Sequence, residues 1–174
     1  PYYPEWRVGA GYSAGRYMTE TMDTGESKIQ VWRCPLWVPR RITGFTRMLH
    51  LASFAFFSIP MLWRALHNRP DLVFVVLPTL AALPAALLLG RLYGARIWVH
   101  VQDFEVDAAF GLGVVKGRAA QRVAVAVESA LLVGADCVSS ITRRMVDRLC
   151  SKGVALHRAA LFPNWVDLAA VFPM

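Results

Sequence analysis

Two hydrophobic rhythms alternate along the second half of the chain. Leu72-Val73-Phe74-Val75-Val76-Leu77 is a continuous apolar run rich in β-branched and aromatic residues and closed by Pro78, which predicts a buried parallel strand. Thr79 to Tyr93 then reads as a buried helix. Glycine marks each return from helix to strand: Gly94 before Arg96 to Val101, Gly134 before Asp136 to Ser139, and Gly153 before Ala160 to Phe162. Helices that end in Gly and lead into short apolar runs predict successive βα units on a parallel sheet. In the middle helix, residues 115–133, Ala119, Val123, Ala126, Val127 and Ala130 share one face and are expected to cover the sheet. Ile141, Met145 and Leu149 do the same in the helix that follows. Earlier, Lys28 to Arg33 alternates as a strand, while Gly9 to Gly25 reads as loop with room for a short helical turn.

Two stretches invite a membrane reading. From Leu72 to Gly90 there are nineteen residues without a formal charge, close to the ~20 that a spanning helix requires. The β-branched run and the prolines Pro78 and Pro84 favour strand plus helix instead. Met48 to Trp63 is shorter, lies between Arg47 and Arg64, and is apolar nearly all round, with Pro60 expected to kink it. It suits either a helix packed on a sheet or one lying in the headgroup plane of a membrane, and the two readings are compatible on different faces.

Composition narrows the field. The 174 residues are 56% apolar and 18% charged, which supports a sizeable core and excludes disorder and coiled coil. Nineteen Lys and Arg against twelve Asp and Glu leave a net charge of +7, pointing to acidic partners: phosphorylated ligands, nucleic acid or an anionic membrane. The basic residues are dispersed among helix ends without an aromatic platform, so nucleic acid is not expected. Cys34, Cys137 and Cys150 form no CxxC or Cys-His grouping, which suggests neither zinc nor a disulfide framework and fits a reducing, cytoplasmic setting. No GxGxxG, Walker, GxSxG or HExxH pattern occurs, so dehydrogenase, nucleotide-hydrolase, esterase and metalloprotease chemistry have no support. The chain begins Pro1-Tyr2-Tyr3-Pro4 without a signal segment, as a fragment entered in mid-protein would.

In an open parallel sheet, ligands gather beyond the carboxyl ends of the strands. The residues leaving the expected strands are Pro78 and Thr79; His100, Gln102 and Asp103; Ser139, Ser140 and Thr142; and Asn164. His100 stands three residues before Asp103, so an imidazole and a carboxylate can reach one cleft. The alternating acids Asp103, Glu105 and Asp107 do not make a calcium loop, because Ala108 and Val114 stand where such a loop needs Gly and Glu. Glu105 and Asp107 read as solvated. Ser140 reads as a helix cap.

Three segments carry a resemblance: Pro1 to Trp6, the run Val99-His100-Val101-Gln102-Asp103-Phe104-Glu105-Val106-Asp107-Ala108-Ala109, and Leu161-Phe162-Pro163-Asn164-Trp165-Val166-Asp167. Together with Ser140 to Met145 and Ser151 to Val154, they resemble the N-terminal half of family 4 glycosyltransferases of GT-B architecture, in the bacterial exopolysaccharide group. Trp165 stands where the broader family has Gly, which narrows the likeness to that group. The resemblance implies an α/β fold: a Rossmann-like parallel sheet flanked by helices, missing its first strands. Residues 1–164 would be a partial acceptor-side domain, and residues 165–174 the start of a hinge to a donor-binding domain. It implies a retaining transferase that moves a sugar from a nucleotide-sugar donor to a polyprenyl-diphosphate-linked glycan, peripheral to the inner face of the cytoplasmic membrane, with no metal or other cofactor. His100 would face the donor sugar and Asp103 would orient the acceptor hydroxyl. Gln102, Thr79, Ser139, Ser140 and Asn164 would bind substrate. Two missing strands would lie between Lys28 to Arg33 and Leu72 to Leu77, leaving the isolated chain inactive and marginally stable. The competing class is a non-catalytic, membrane-associated α/β binding module.

Overall fold

The computed structural model describes residues 7–77, 80–111 and 117–165. The chain opens with a hairpin, in which β1 (Met18–Asp23) pairs antiparallel with β2 (Lys28–Arg33) in a two-stranded sheet of its own. β2 is the strand expected from its alternation. β1 corrects the loop reading of residues 9–25: only Met18 and Glu20 are even half-buried in it, so neither face carries an apolar row that could announce a strand. Its pairing is held by the turn, where Gly25 at φ 82° donates its N–H to the Asp23 carboxylate at 2.9 Å. Arg33 adds a two-pronged contact to Glu20, both bonds 2.9 Å.

Helix α1 (Gly44–His67) is longer than the apolar stretch that announced it and runs on through Pro60. Thr43 and Thr46 close its start as a reciprocal cap, each side chain accepting the other's backbone N–H. Four residues later β3 (Leu72–Leu77) begins, followed by a single 3-10 turn over Leu80–Ala82 and by α2 (Leu83–Tyr93). The expected helix therefore starts late, with Pro84 inside the first turn of α2, where a missing N–H costs nothing. Gly94, at φ 77°, ends α2 in the left-handed conformation. The described residues of Leu72 to Gly90 are thus strand, turn and helix, as expected, rather than a membrane span. The chain continues through β4 (Arg96–Val101), α3 (Glu105–Gly111), α4 (Arg118–Val133), β5 (Cys137–Ser140), α5 (Arg143–Ser151) and β6 (Ala159–Leu161).

β3, β4, β5 and β6 form one parallel sheet in that order. Each crossover steps the same way, and under the right-handed rule for parallel crossovers the intervening helices fall on one face. Leu83 and Leu87 of α2, Leu132 of α4 and Leu149 of α5 bury there against Ile97, Val99, Val101 and Val138, each Leu contributing about 1.5–3 kcal/mol. Gly90 permits the close approach of α2, since a Cβ at that position would lie 2.2 Å from Ile97 Cδ1. The opposite face presents Leu72, Phe74 and Val76 of β3, which stay 44–48% exposed, with Trp98 and His100 of β4 and Ser139 of β5 in register beside them.

α4 departs from expectation. Its Ala/Val stripe faces outward, with Val123 64% and Val127 51% exposed, while Glu128 and Leu132 are the buried residues.

Candidate active site

His100 is the centre of the uncovered face. It pairs with Val76 on one side and Ser139 on the other, and its ring stacks on Phe74 (centroids 5.9 Å, 18° between planes) and meets Phe162 edge-on at 5.4 Å. Trp98 completes the cluster, 5.3 Å from Phe74 and 5.8 Å from Phe162. Ser139 Oγ accepts the indole N–H of Trp98 at 2.8 Å and lies 2.9 Å from His100 Nδ1. Burial holds the imidazole pKa below its ordinary value, so His100 is neutral near pH 7. With Nδ1 engaged by Ser139, Nε2 is the nitrogen left without a partner among the described residues.

The other strand-exit residues divide into those free for a ligand and those committed inside the sheet. Gln102 is half-buried and Asp103 exposed, and among the described residues Asp103 forms no hydrogen bond or ion pair. Asn164 is exposed beyond β6. Ser139 and Ser140 are fully buried, and Ser140 Oγ donates to the Val101 carbonyl at 2.6 Å. The capping role expected of Ser140 belongs to Thr142, whose side chain accepts the Met145 N–H. Thr79 lies outside the described residues, as do Pro1 to Trp6 and all of the expected hinge beyond Trp165.

The solvated-loop reading of Glu105 and Asp107 is overturned. Glu105 reaches across to the exit of β3, where its Oε2 accepts the Leu80 N–H at 2.7 Å, while its Oε1 is buried and has no hydrogen-bond partner. Burial raises its pKa, against the lowering effect of that bond. Asp107 accepts from Arg148 (3.1 and 3.2 Å) and from Lys152 Nζ (3.2 Å). Lys152 is itself buried, ion-paired with the buried Glu128 and seated 5.1 Å over the Phe104 ring. Spacing along the chain cannot show a pairing across 24 residues such as that of Glu128 with Lys152. The aromatic cluster had a local signal, because Trp98 and His100 are two apart on one strand and share a face. Among the described residues no group of His, Cys, Asp or Glu is arranged to hold a metal ion.

The parallel sheet β3 to β6 lies within residues 8–165, which match the glycosyl transferase 4-like domain. The chain belongs to that family. It is 44% identical over 172 residues to the colanic acid biosynthesis glycosyl transferase WcaI of Escherichia coli (strain K12), an alignment covering 97% of this chain and 41% of the relative. The chain thus spans about two fifths of the length of that relative.

Proposed function

We propose that this chain is the acceptor-side lobe of a retaining glycosyltransferase of exopolysaccharide synthesis, with residues 1–164 forming the lobe and 165–174 beginning a hinge to a donor-binding domain. The observation that carries the reading is the juxtaposition at the end of β4 of the buried His100 imidazole, held at Nδ1 by Ser139, and the exposed carboxylate of Asp103 three residues on. The donor is a nucleotide-sugar and the acceptor a glycan on a polyprenyl diphosphate. In the reaction the bond from the anomeric carbon to the donor phosphate breaks as the acceptor oxygen bonds to the same face. The hydroxyl proton passes to the departing phosphate oxygen. His100 lies beside the oxocarbenium-like sugar, Asp103 orients the acceptor hydroxyl, and Gln102, Thr79 and Asn164 bind substrate. Ser139 and Ser140 serve the same site from inside the sheet, Ser139 by setting the imidazole tautomer and Ser140 by joining β5 to the end of β4. No metal or cofactor is assigned a role.

The lipid-linked acceptor fits the surface of α1. Phe45, Leu49, Ala52, Phe56, Ile59 and Trp63 follow one another at alternating intervals of four and three residues, and all are exposed, so they form one apolar line about 27 Å long. Arg40 and Arg41 lie before it, and Arg64, His67 and Arg69 at its end. Such a helix suits peripheral contact with an anionic leaflet at the inner face of the cytoplasmic membrane. It would serve equally in a non-catalytic membrane-associated binding module, and transfer chemistry separates the two. With the full-length gene product, nucleotide-sugars and lipid-linked acceptor, labelled sugar is expected in the lipid fraction. His100→Ala and Asp103→Asn are each expected to lower kcat by about 10²-fold. Absence of transfer with any nucleotide-sugar, or full activity in both variants, overturns the reading.

A further inference from the structure

The three alternating acids after β4 divide their labour. Asp103 is exposed and unpartnered, whereas Glu105 and Asp107 are tied in opposite directions: Glu105 to the Leu80 N–H beside the β3 exit, Asp107 to Arg148 and Lys152 at the end of α5. Lys152 also lies over Phe104, the residue next to Asp103, and is paired with Glu128 of α4. The 102–104 turn is therefore braced from β3, α4 and α5 at once.

Both braces carry a desolvation cost. Burying the Lys152 and Glu128 charges incurs a desolvation penalty, and an apolar pair of similar volume is often at least as stable. A buried carboxylate oxygen without a partner, as in Glu105, is likewise unfavourable. Departures from local stability rules are expected at functional sites rather than scattered at random, and here two of them converge on either side of Asp103. We infer that Glu105, Asp107 and Lys152 are positioning residues that hold the 102–104 turn so that Asp103 is presented at the cleft in one fixed orientation. None of the three touches substrate. The Glu105 contact also ties Leu80, just past β3, to the segment that leaves β4.

The inference rests on the transferase reading for its activity arm alone. In the full-length gene product, Glu105→Ala and Asp107→Asn are expected to lower kcat by about tenfold or more, with the KM for nucleotide-sugar within about twofold of wild type. Glu105→Gln keeps an oxygen acceptor for the Leu80 N–H and is expected to restore kcat to within about twofold. The double variant Lys152→Met with Glu128→Leu replaces the buried pair by apolar side chains. It is expected to melt at or above the wild-type temperature while losing kcat as Asp107→Asn does. Amide hydrogen exchange over residues 102–107 is expected to quicken in Glu105→Ala and Asp107→Asn and not in Glu105→Gln. Unchanged exchange in the first two, wild-type kcat in the double variant, or a loss in Glu105→Gln equal to that in Glu105→Ala overturns the inference. If wild type transfers no sugar, the transferase reading fails, and the exchange data still decide whether the turn is braced.

Discussion

At the scale of single residues, the two perturbed groups of the site respond to pH in opposite senses. Burial lowers the pKa of His100 below 6.5, so the unfolded chain takes up a proton first and stability falls as pH drops below that value. Burial raises the pKa of Glu105 above 4.5. The folded chain then holds that proton more tightly than the unfolded one, and stability falls as pH rises from 4.5 through the folded value. Glu105→Gln removes the charge and keeps the acceptor, so its melting temperature is expected to exceed wild type at pH 7, with the difference closing by about pH 4. Calorimetry of the two proteins across that range checks it, and an equal or larger gap at low pH contradicts the assignment. The position of His100 and Asp103 at the end of β4 was legible in the sequence, because an apolar strand leading into polar residues announces its own exit. Glu105 was not. A carboxylate two residues past a strand reads as solvated unless the distant amide it reaches, here that of Leu80, is known.

At the scale of elements, hydrophobic periodicity found most helices and misjudged the orientation of one. The stripe of Ala119, Val123, Ala126, Val127 and Ala130 in α4 competes with a face holding Val125, Leu131 and Leu132, and leucine removes more apolar area from water than alanine does. The larger side chains turned inward with Glu128, which has Lys152 to meet it. α1 shows the opposite case, where a helix apolar nearly all round leaves much of its surface uncovered. Among the described residues it is the one helix long and apolar enough to cross a membrane, and 17% of its most apolar stretch is buried. The helix is tied to the segments flanking the hairpin: Ser53 Oγ accepts the Trp37 N–H at 2.8 Å, and the Phe57 backbone carbonyl accepts the Tyr17 hydroxyl at 2.8 Å. That tether to the hairpin favours a helix lying on the leaflet over one crossing it. The full-length gene product is expected to float with vesicles rich in phosphatidylglycerol. Flotation is expected to fall several-fold when Phe45, Phe56 and Trp63 are replaced by Ser, and also when Arg40 and Arg41 are replaced by Gln. Flotation unchanged by either set would remove α1 from the interface.

At the scale of the whole molecule, the parallel βα order was legible from four apolar runs and three glycines, but the local partner of the early strand was not. Lys28 to Arg33 was expected as a strand beside others lying outside the chain; among the described residues its partner is β1, which carries no apolar row that would have revealed it. The main sheet is thus open along β3, and its second face is apolar: Leu72, Phe74 and Val76 stay half-exposed, with Phe162 exposed beside them. Parallel sheets are stable when both faces are covered, and an edge strand of six apolar residues without a neighbour templates association. The helices cannot supply the cover, since their crossovers commit them to the other face. The 174-residue chain by itself is therefore expected to elute as a broad, concentration-dependent population, to bind a dye for apolar surface, and to melt without a sharp reversible transition. A chain extended to the length of the relative is expected to lose the dye signal if the added residues cover Phe74 and pair along β3. A monodisperse 174-residue monomer with a cooperative, reversible transition would mean that this face is stable in water as it stands, and the proposed lobe would then be complete without further strands.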